Sequence, residues 1–322
     1  MSGRRALVTG ASGFVGANLA RRLLDAGHEV SLVLRPGRDR WRLGGVLGQV
    51  RVLEADLEER EAVRGLVAEA RPEWVFHLAA YGAYPEQDVL EQAVRTNLLG
   101  TMHLAQACLE AGFEGFVNAG SSSEYGFKDH APGESEALEP NSSYAVAKAS
   151  ATLLLRHLAV SRGARFVTLR LYSAYGPFEE PTRLVPRLAV LGLSGRLPPL
   201  VNPDVARDFV HVDDVCDAFL AAAGEPDQEA GAVYNVGTGV QTTIREAVDV
   251  TRRVLGLDEQ PQWGTMAERK WDTTTWVADS RRIRSRLGWS PRHTFESGFR
   301  ATVDWFHEHP EMLALYSERV IA

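Results

Sequence analysis

The chain has 322 residues, 45% hydrophobic and 24% charged, with 35 Lys+Arg against 42 Asp+Glu and a net charge of −7. This is an ordinary globular composition, and its acidic average excludes a protein that coats nucleic acid, which needs a basic face. The two cysteines, Cys108 and Cys216, lie in apolar helical patterns, so disulfide scaffolds and zinc ribbons are excluded and buried, reduced thiols in a cytoplasmic setting are expected.

No run approaches the ~20 apolar residues that cross a bilayer, and Ala6-Leu7-Val8 stops at Thr9-Gly10, too soon for a signal h-region. From residue 4 to about 170, apolar runs of strand length alternate with amphipathic stretches of helical period. The pattern predicts βαβ units with parallel strands at 4–9, 29–34, 50–55, 74–78, 115–118 and 165–169. Gly27 and Pro72 stand where helices should stop. Beyond Gly176, prolines 177, 181, 186, 198, 199 and 203 are spread among shorter elements, which predicts a smaller, loop-rich lobe. Segments 209–212 and 233–236 return to the strand-then-helix style, so the second lobe is expected to interleave with the first. A chain above the ~250–300 residues of a single core also suggests two unequal lobes.

Thr9-Gly10-Ala11-Ser12-Gly13-Phe14-Val15-Gly16 places glycines at a G-x-x-G-x-x-G spacing between a strand and a helix. Gly10 permits the tight turn, Gly13 lets backbone N–H groups approach a pyrophosphate, and Gly16 lets the helix pack on the strand. The N–H groups around Ser12, Phe14 and Val15, with the helix dipole, then hold the phosphates of a dinucleotide. The second strand ends in Leu34-Arg35-Pro36-Gly37-Arg38, with no acid to accept the adenosine ribose hydroxyls. Arg35, with Arg38, is expected on a 2′-phosphate, favouring NADP(H) over NAD(H); a solvated basic loop is the alternative.

Further motifs follow in order: Asp56-Leu57, His77-Leu78-Ala79-Ala80, Asn97-x-x-Gly100-Thr101, Ser121-Ser122-Ser123-Glu124-Tyr125-Gly126, Tyr144-x-x-x-Lys148, Arg207-Asp208-Phe209-Val210-His211-Val212-Asp213-Asp214 and Leu287-Gly288-Trp289. Together with the glycine turn they resemble the extended short-chain dehydrogenase/reductases, the nucleotide-sugar epimerase/dehydratase/reductase group. The resemblance implies an α/β fold, a doubly wound parallel Rossmann-type sheet with a smaller, interleaved C-terminal substrate lobe. Residues 1–176 would bind the dinucleotide, with returns near 207–245, and 177–322 would form the substrate lobe. It further implies a nucleotide-diphosphate sugar as partner, no membrane or nucleic acid, no metal, and a homodimer pairing helices around 101–111 and 143–160.

The resemblance makes Ser121, Tyr144 and Lys148 catalytic. Tyr144 and Lys148, four apart on a helix, share a face, and an ammonium beside a phenol should lower the phenol's pKa. The family's lysine also holds the nicotinamide ribose, next to Leu78, Ala79 and Ala80. Asp56 should accept from the adenine amine or cap a helix, with Leu57 against the ring, and Asn97 orders the helix behind the site. Tyr81 and Tyr84 face the sugar or fill the loop, and Ser173 stands where many relatives have asparagine. Arg207, Arg269 and Asp272 resemble the residues that grip the diphosphate and nucleoside, a role suited to the guanidinium fork; for Arg269 a surface ion pair is equally open. A 4,6-dehydratase needs an acid and a base beside the hydroxyl residue, and here Ser122 and Ser123 stand in those places. Two reactions remain in front: reduction of a nucleotide-linked 4-keto-6-deoxy sugar at C4 with Tyr144 as general acid, and NAD-dependent 4-epimerisation. A non-catalytic NADP-sensing protein is disfavoured because the tyrosine and the lysine are both present.

Overall fold

The computed structural model describes residues 3–82, 87–266 and 272–321. In chain order the first part runs β1 (Arg5–Thr9), α1 (Phe14–Asp25), β2 (Glu29–Leu34), β3 (Arg51–Glu54), α2 (Arg60–Ala70) and β4 (Trp74–His77). Then come α3 (Leu90–Ala93), α4 (Gly100–Ala111), β5 (Gly115–Ser121), α5 (Ser143–Arg162), β6 (Phe166–Leu171) and β7 (Ser173–Tyr175). The remainder comprises α6 (Leu184–Leu193), β8 (Ala206–Arg207), β9 (Phe209–His211), α7 (Val212–Gly224), β10 (Val233–Val236), β11 (Thr242–Thr243), α8 (Ile244–Leu255), α9 (Arg281–Leu287), α10 (Phe295–Glu308) and α11 (Pro310–Ile321).

Seven strands form one parallel sheet in the order β10-β6-β5-β4-β1-β2-β3. The six sequence-predicted strands are all there, and Val233–Val236 adds a seventh beside β6, paired Val233 to Thr168 through Val236 to Leu171. The near-continuous apolar runs of the central strands follow from burial on both faces. One face is covered by α1 and α7, which pack Leu19, Leu23, Val215 and Phe219 on the sheet. On the other, α2, α4 and α5 contribute Val63, Leu66, Leu104 and Leu155. Segment 209–212 does not join this sheet: β9 pairs with β7 in a two-stranded parallel ribbon, and β8 pairs antiparallel with β11.

A third core is built from α6, α8, α10 and α11 around Leu188, Val248, Phe299 and Tyr316. It draws on residues before and after the seventh strand. Helix ends follow local chemistry. Ser142 caps α5 by accepting from the Ala145 N–H at 3.1 Å, and Thr243 opens α8 with Glu246 in a reciprocal capping box. The predicted stop at Pro72 is made one residue earlier, by Arg71 in the left-handed region at φ 43°. Cys108 and Cys216 are buried thiols. Among the described residues no helix is long and apolar enough to cross a membrane.

Candidate active site

A cleft of about 1240 Å³ runs over the C-terminal ends of the strands and into the second lobe. It opens at the switch point between β1 and β4, where connections leave in opposite directions and doubly wound sheets place ligands. That junction is tightly made. His77 is buried between the Thr9 hydroxyl at 2.7 Å and the Thr101 hydroxyl at 2.8 Å, and burial pushes its pKa down to about 3, so it stays neutral.

The glycine turn follows β1. Gly10 has φ 70°, and a Cβ there would stand 2.5 Å from the Ala79 nitrogen; one at Gly16 would stand 2.3 Å from the Gly10 carbonyl oxygen. No other residue type fits. Helix α1 starts at Phe14 without a side-chain cap, so the first-turn N–H groups lack intrahelical acceptors, and Ser12, Gly13, Phe14, Val15 and Gly16 line the cleft. This uncapped, electropositive helix end fits a pyrophosphate. Arg35 and Arg38 also line the cleft, with Asp39, Trp41, Arg42, Asp56 and Leu57. Asp56 lines the cleft, and its Oδ1 accepts from the Glu58 N–H at 3.0 Å; it does not cap α2, whose N-cap is Glu59 without a side-chain bond.

Leu78, Ala79, Ala80 and Tyr81 continue the wall after β4. Asn97 does not reach the cleft. It is buried, donating to the Tyr81 carbonyl and accepting from the Tyr81 N–H, both at 2.8 Å. Its amide thus fixes the loop beside the site, from a π-helical turn at Val94–Leu99 that joins α3 to α4. Such insertions recur at functional sites.

Ser121, at the end of β5, and Tyr144 and Lys148, on the first turns of α5, meet on the opposite wall. Tyr144 hydrogen-bonds to Ser121, whose hydroxyl also bonds the Ser123 hydroxyl. The Lys148 ammonium donates to the Ala119 carbonyl at 2.8 Å and lies 5.9 Å from the centre of the Tyr144 ring. Burial pushes the lysine down to about 8. The expected lowering of the Tyr144 pKa is not met: burial pushes the phenol up to about 12, against which the Ser121 hydrogen bond works only partly. The isolated pair is desolvated more than it is charge-stabilised, so Tyr144 is a proton donor at neutral pH.

Ser122 is buried and Ser123 half-buried, and both line the cleft. Their neighbour Glu124 turns inward, wholly buried, with Oε1 accepting from the Ser121 N–H at 2.9 Å and Oε2 from Arg170 Nε at 2.9 Å. Arg170 also donates to the Tyr125 hydroxyl, which donates to Asn235 Oδ1, both at 2.7 Å.

Ser173, Arg207 and Asp272 also line the cleft, and Arg207 Nη2 pairs with Asp272 Oδ1 at 2.8 Å. The Arg207 guanidinium lies 5.8 Å from the Trp276 ring centre. Tyr84 and Arg269 fall outside the described residues. Sequence reasoning missed Arg183 and Arg187, which line the cleft at the start of α6; the prolines around them signalled only a loop. It also missed Glu179, a buried cleft-lining acid whose Oε2 has no hydrogen-bond partner and which burial pushes up to about 8. Among the described residues one group of potential metal donors, His211, Asp213 and His293, comes within 4.8 Å; it does not line the cleft, and His293 Nδ1 already bonds Asp214 at 3.1 Å.

Comparison with known proteins agrees with this geometry. The chain is 32% identical to a dTDP-glucose 4,6-dehydratase of Streptomyces griseus, over 94% of each chain. It is 32% identical to a UDP-glucose 4-epimerase of Mycolicibacterium smegmatis, over 94% of this chain and 98% of that one. The structure of the UDP-glucose 4-epimerase of Thermus thermophilus, in complex with NAD, superposes with a TM-score of 0.82 at 30% identity, covering 94% of this chain and 99% of that one. Residues 6–237 match the model of the NAD dependent epimerase/dehydratase family, and with a seven-stranded parallel sheet and near full-length relatives on both sides of that name, the chain belongs to this family of nucleotide-sugar enzymes.

Proposed function

We propose that the protein reduces the C4 carbonyl of a nucleoside-diphosphate-linked 4-keto-6-deoxy sugar, using NADPH. The observation that carries the reading is Tyr144 brought into one cleft with Ser121 and Lys148, beside serines where dehydration would need an acid and a base. Glu124, the nearest carboxylate in the motif, is held by Arg170 and the Ser121 N–H rather than turned to substrate. When bound, the dinucleotide supplies the hydride to C4. Tyr144 then gives its proton to the oxygen that becomes the alkoxide, Ser121 orients that oxygen, and the Lys148 ammonium holds the nicotinamide ribose and offsets the phenolate. Arg35 and Arg38 at the adenosine end favour the 2′-phosphate of NADP(H). Arg207, together with Arg183 and Arg187, suits the sugar diphosphate.

A second reading is NAD-dependent 4-epimerisation, favoured by the relatives named UDP-glucose 4-epimerase. The same three residues serve it, with the hydride returned to the other face of C4. Dinucleotide extracted from the purified protein separates the two. A protein without retained cofactor that oxidises NADPH only with dTDP-4-keto-6-deoxyglucose supports reduction. Stoichiometric NAD, with interconversion of UDP-glucose and UDP-galactose, overturns it in favour of epimerisation.

We also propose a homodimer through α4 and α5. Val146, Leu153 and Val160 recur every seven residues along α5, at 41%, 56% and 69% exposure, an apolar stripe that a neighbouring helix would cover.

A further inference from the structure

Glu124 is the one charged residue of the serine motif, and its surroundings are those of a working group rather than a filler. It has no exposed surface. Its two oxygens are divided between the Ser121 backbone N–H on one side and Arg170 on the other. A Cβ on Gly120 would stand 2.7 Å from Oε1, so the strand is bare there to admit the carboxylate. Lys148 Nζ donates to the carbonyl of Ala119, the residue before Gly120 in the same strand. The ammonium and the carboxylate therefore address adjacent peptide units of β5.

We propose that Glu124 is a positioning residue for the reacting centre: its carboxylate fixes the backbone of Ser121 and supplies the fixed negative charge against which Lys148 keeps its proton. The inference rests on the reading of Ser121, Tyr144 and Lys148 as the reacting groups. The electrostatics agree, since the Glu124 charge raises the pKa of both Lys148 and Tyr144. Burial without a counter-charge would drive the lysine further towards its neutral form. Other groups facing the pair do not take this role. His77 is neutral, Arg183 acts on Tyr144 with the opposite sign, and Arg170 is taken up by Glu124 and the Tyr125 hydroxyl. A buried ion pair gives little net stability over an apolar pair of similar shape, so a role at the site accounts for it better than stability does.

The test is the pH dependence of dinucleotide binding between pH 6 and 10, read by tryptophan fluorescence with NAD+ and NADP+, beside kcat and KM with NADPH and dTDP-4-keto-6-deoxyglucose. Binding by the unaltered protein should weaken with a midpoint near 8, as Lys148 loses its proton. Glu124→Gln keeps an oxygen for the Ser121 N–H and removes the charge; its midpoint should fall by about one pH unit, with KM for the sugar within about twofold. If the single variant fails to fold because Arg170 is left uncompensated, Glu124→Gln/Arg170→Gln replaces the ions by a neutral pair and should show the same fall. A midpoint that stays in place in a folded variant overturns the inference, as does a raised sugar KM with the midpoint unmoved. A midpoint that shifts in a protein that never turns over the ketosugar sinks the reductase reading and leaves this one standing.

Discussion

At the scale of single residues, the site is governed by how far each ionisable group is removed from water. Tyr144 is pushed up and Lys148 down, so near neutrality the first holds its proton and the second is poised to lose one. Tyr144→Phe should retain dinucleotide binding while turnover falls by about 10²–10⁴-fold, the usual worth of a positioned acid; stopped-flow reduction and fluorescence binding check the two halves. Arg35→Ala should weaken NADPH by about tenfold or more, the loss of one charge-assisted hydrogen bond, and leave NADH unchanged; equal losses for both would remove Arg35 from the 2′-phosphate. Much of this is legible in the sequence because four-residue spacing on a helix forces Tyr144 and Lys148 together. What spacing cannot convey is desolvation, and for that reason it gives the wrong direction for the Tyr144 shift. Nor does it reveal Asn97 closing on the Tyr81 backbone, since that contact joins residues sixteen apart in the chain.

Among the elements, those with two-sided burial are the easiest to read: β1, β2, β4 and β5 are apolar runs bounded by turn residues, and each appears within a few residues of its expected place. Of the short ribbon strands only β9 is legible, as the strand that leads into α7; β7, β8 and β11 are not, because two or three residues carry no period and are held by tertiary contacts. The stripe on α5 belongs to this scale. Its three residues are those the proposed dimer would cover, and Leu153→Asp should convert a species of about twice 35.4 kDa to monomer in light scattering. A wild-type protein that runs as a monomer would remove the dimer.

For the whole molecule, stability is tied to pH through the wall between the lobes. Glu179, buried where β7 leads to α6, has its pKa raised from 4.5 to about 8. Below about 4.5 the folded and unfolded chains both hold its proton. As pH rises through the window to about 8 the unfolded chain releases it first, so stability falls across that range. Glu179→Gln should flatten the decline of Tm between pH 6 and 9 measured by scanning calorimetry, and an identical slope would show that the carboxyl is solvated. The order of the sheet also bears on dissecting the protein. Strand β10 reaches β6 only after the chain has built α6, β8, β9 and α7 outside it, so a fragment ending at residue 176 would leave a bare, apolar strand edge at Phe166–Leu171. Such an edge is a template for association. The fragment should aggregate on expression: the sheet is completed only once the ribosome has passed Val236.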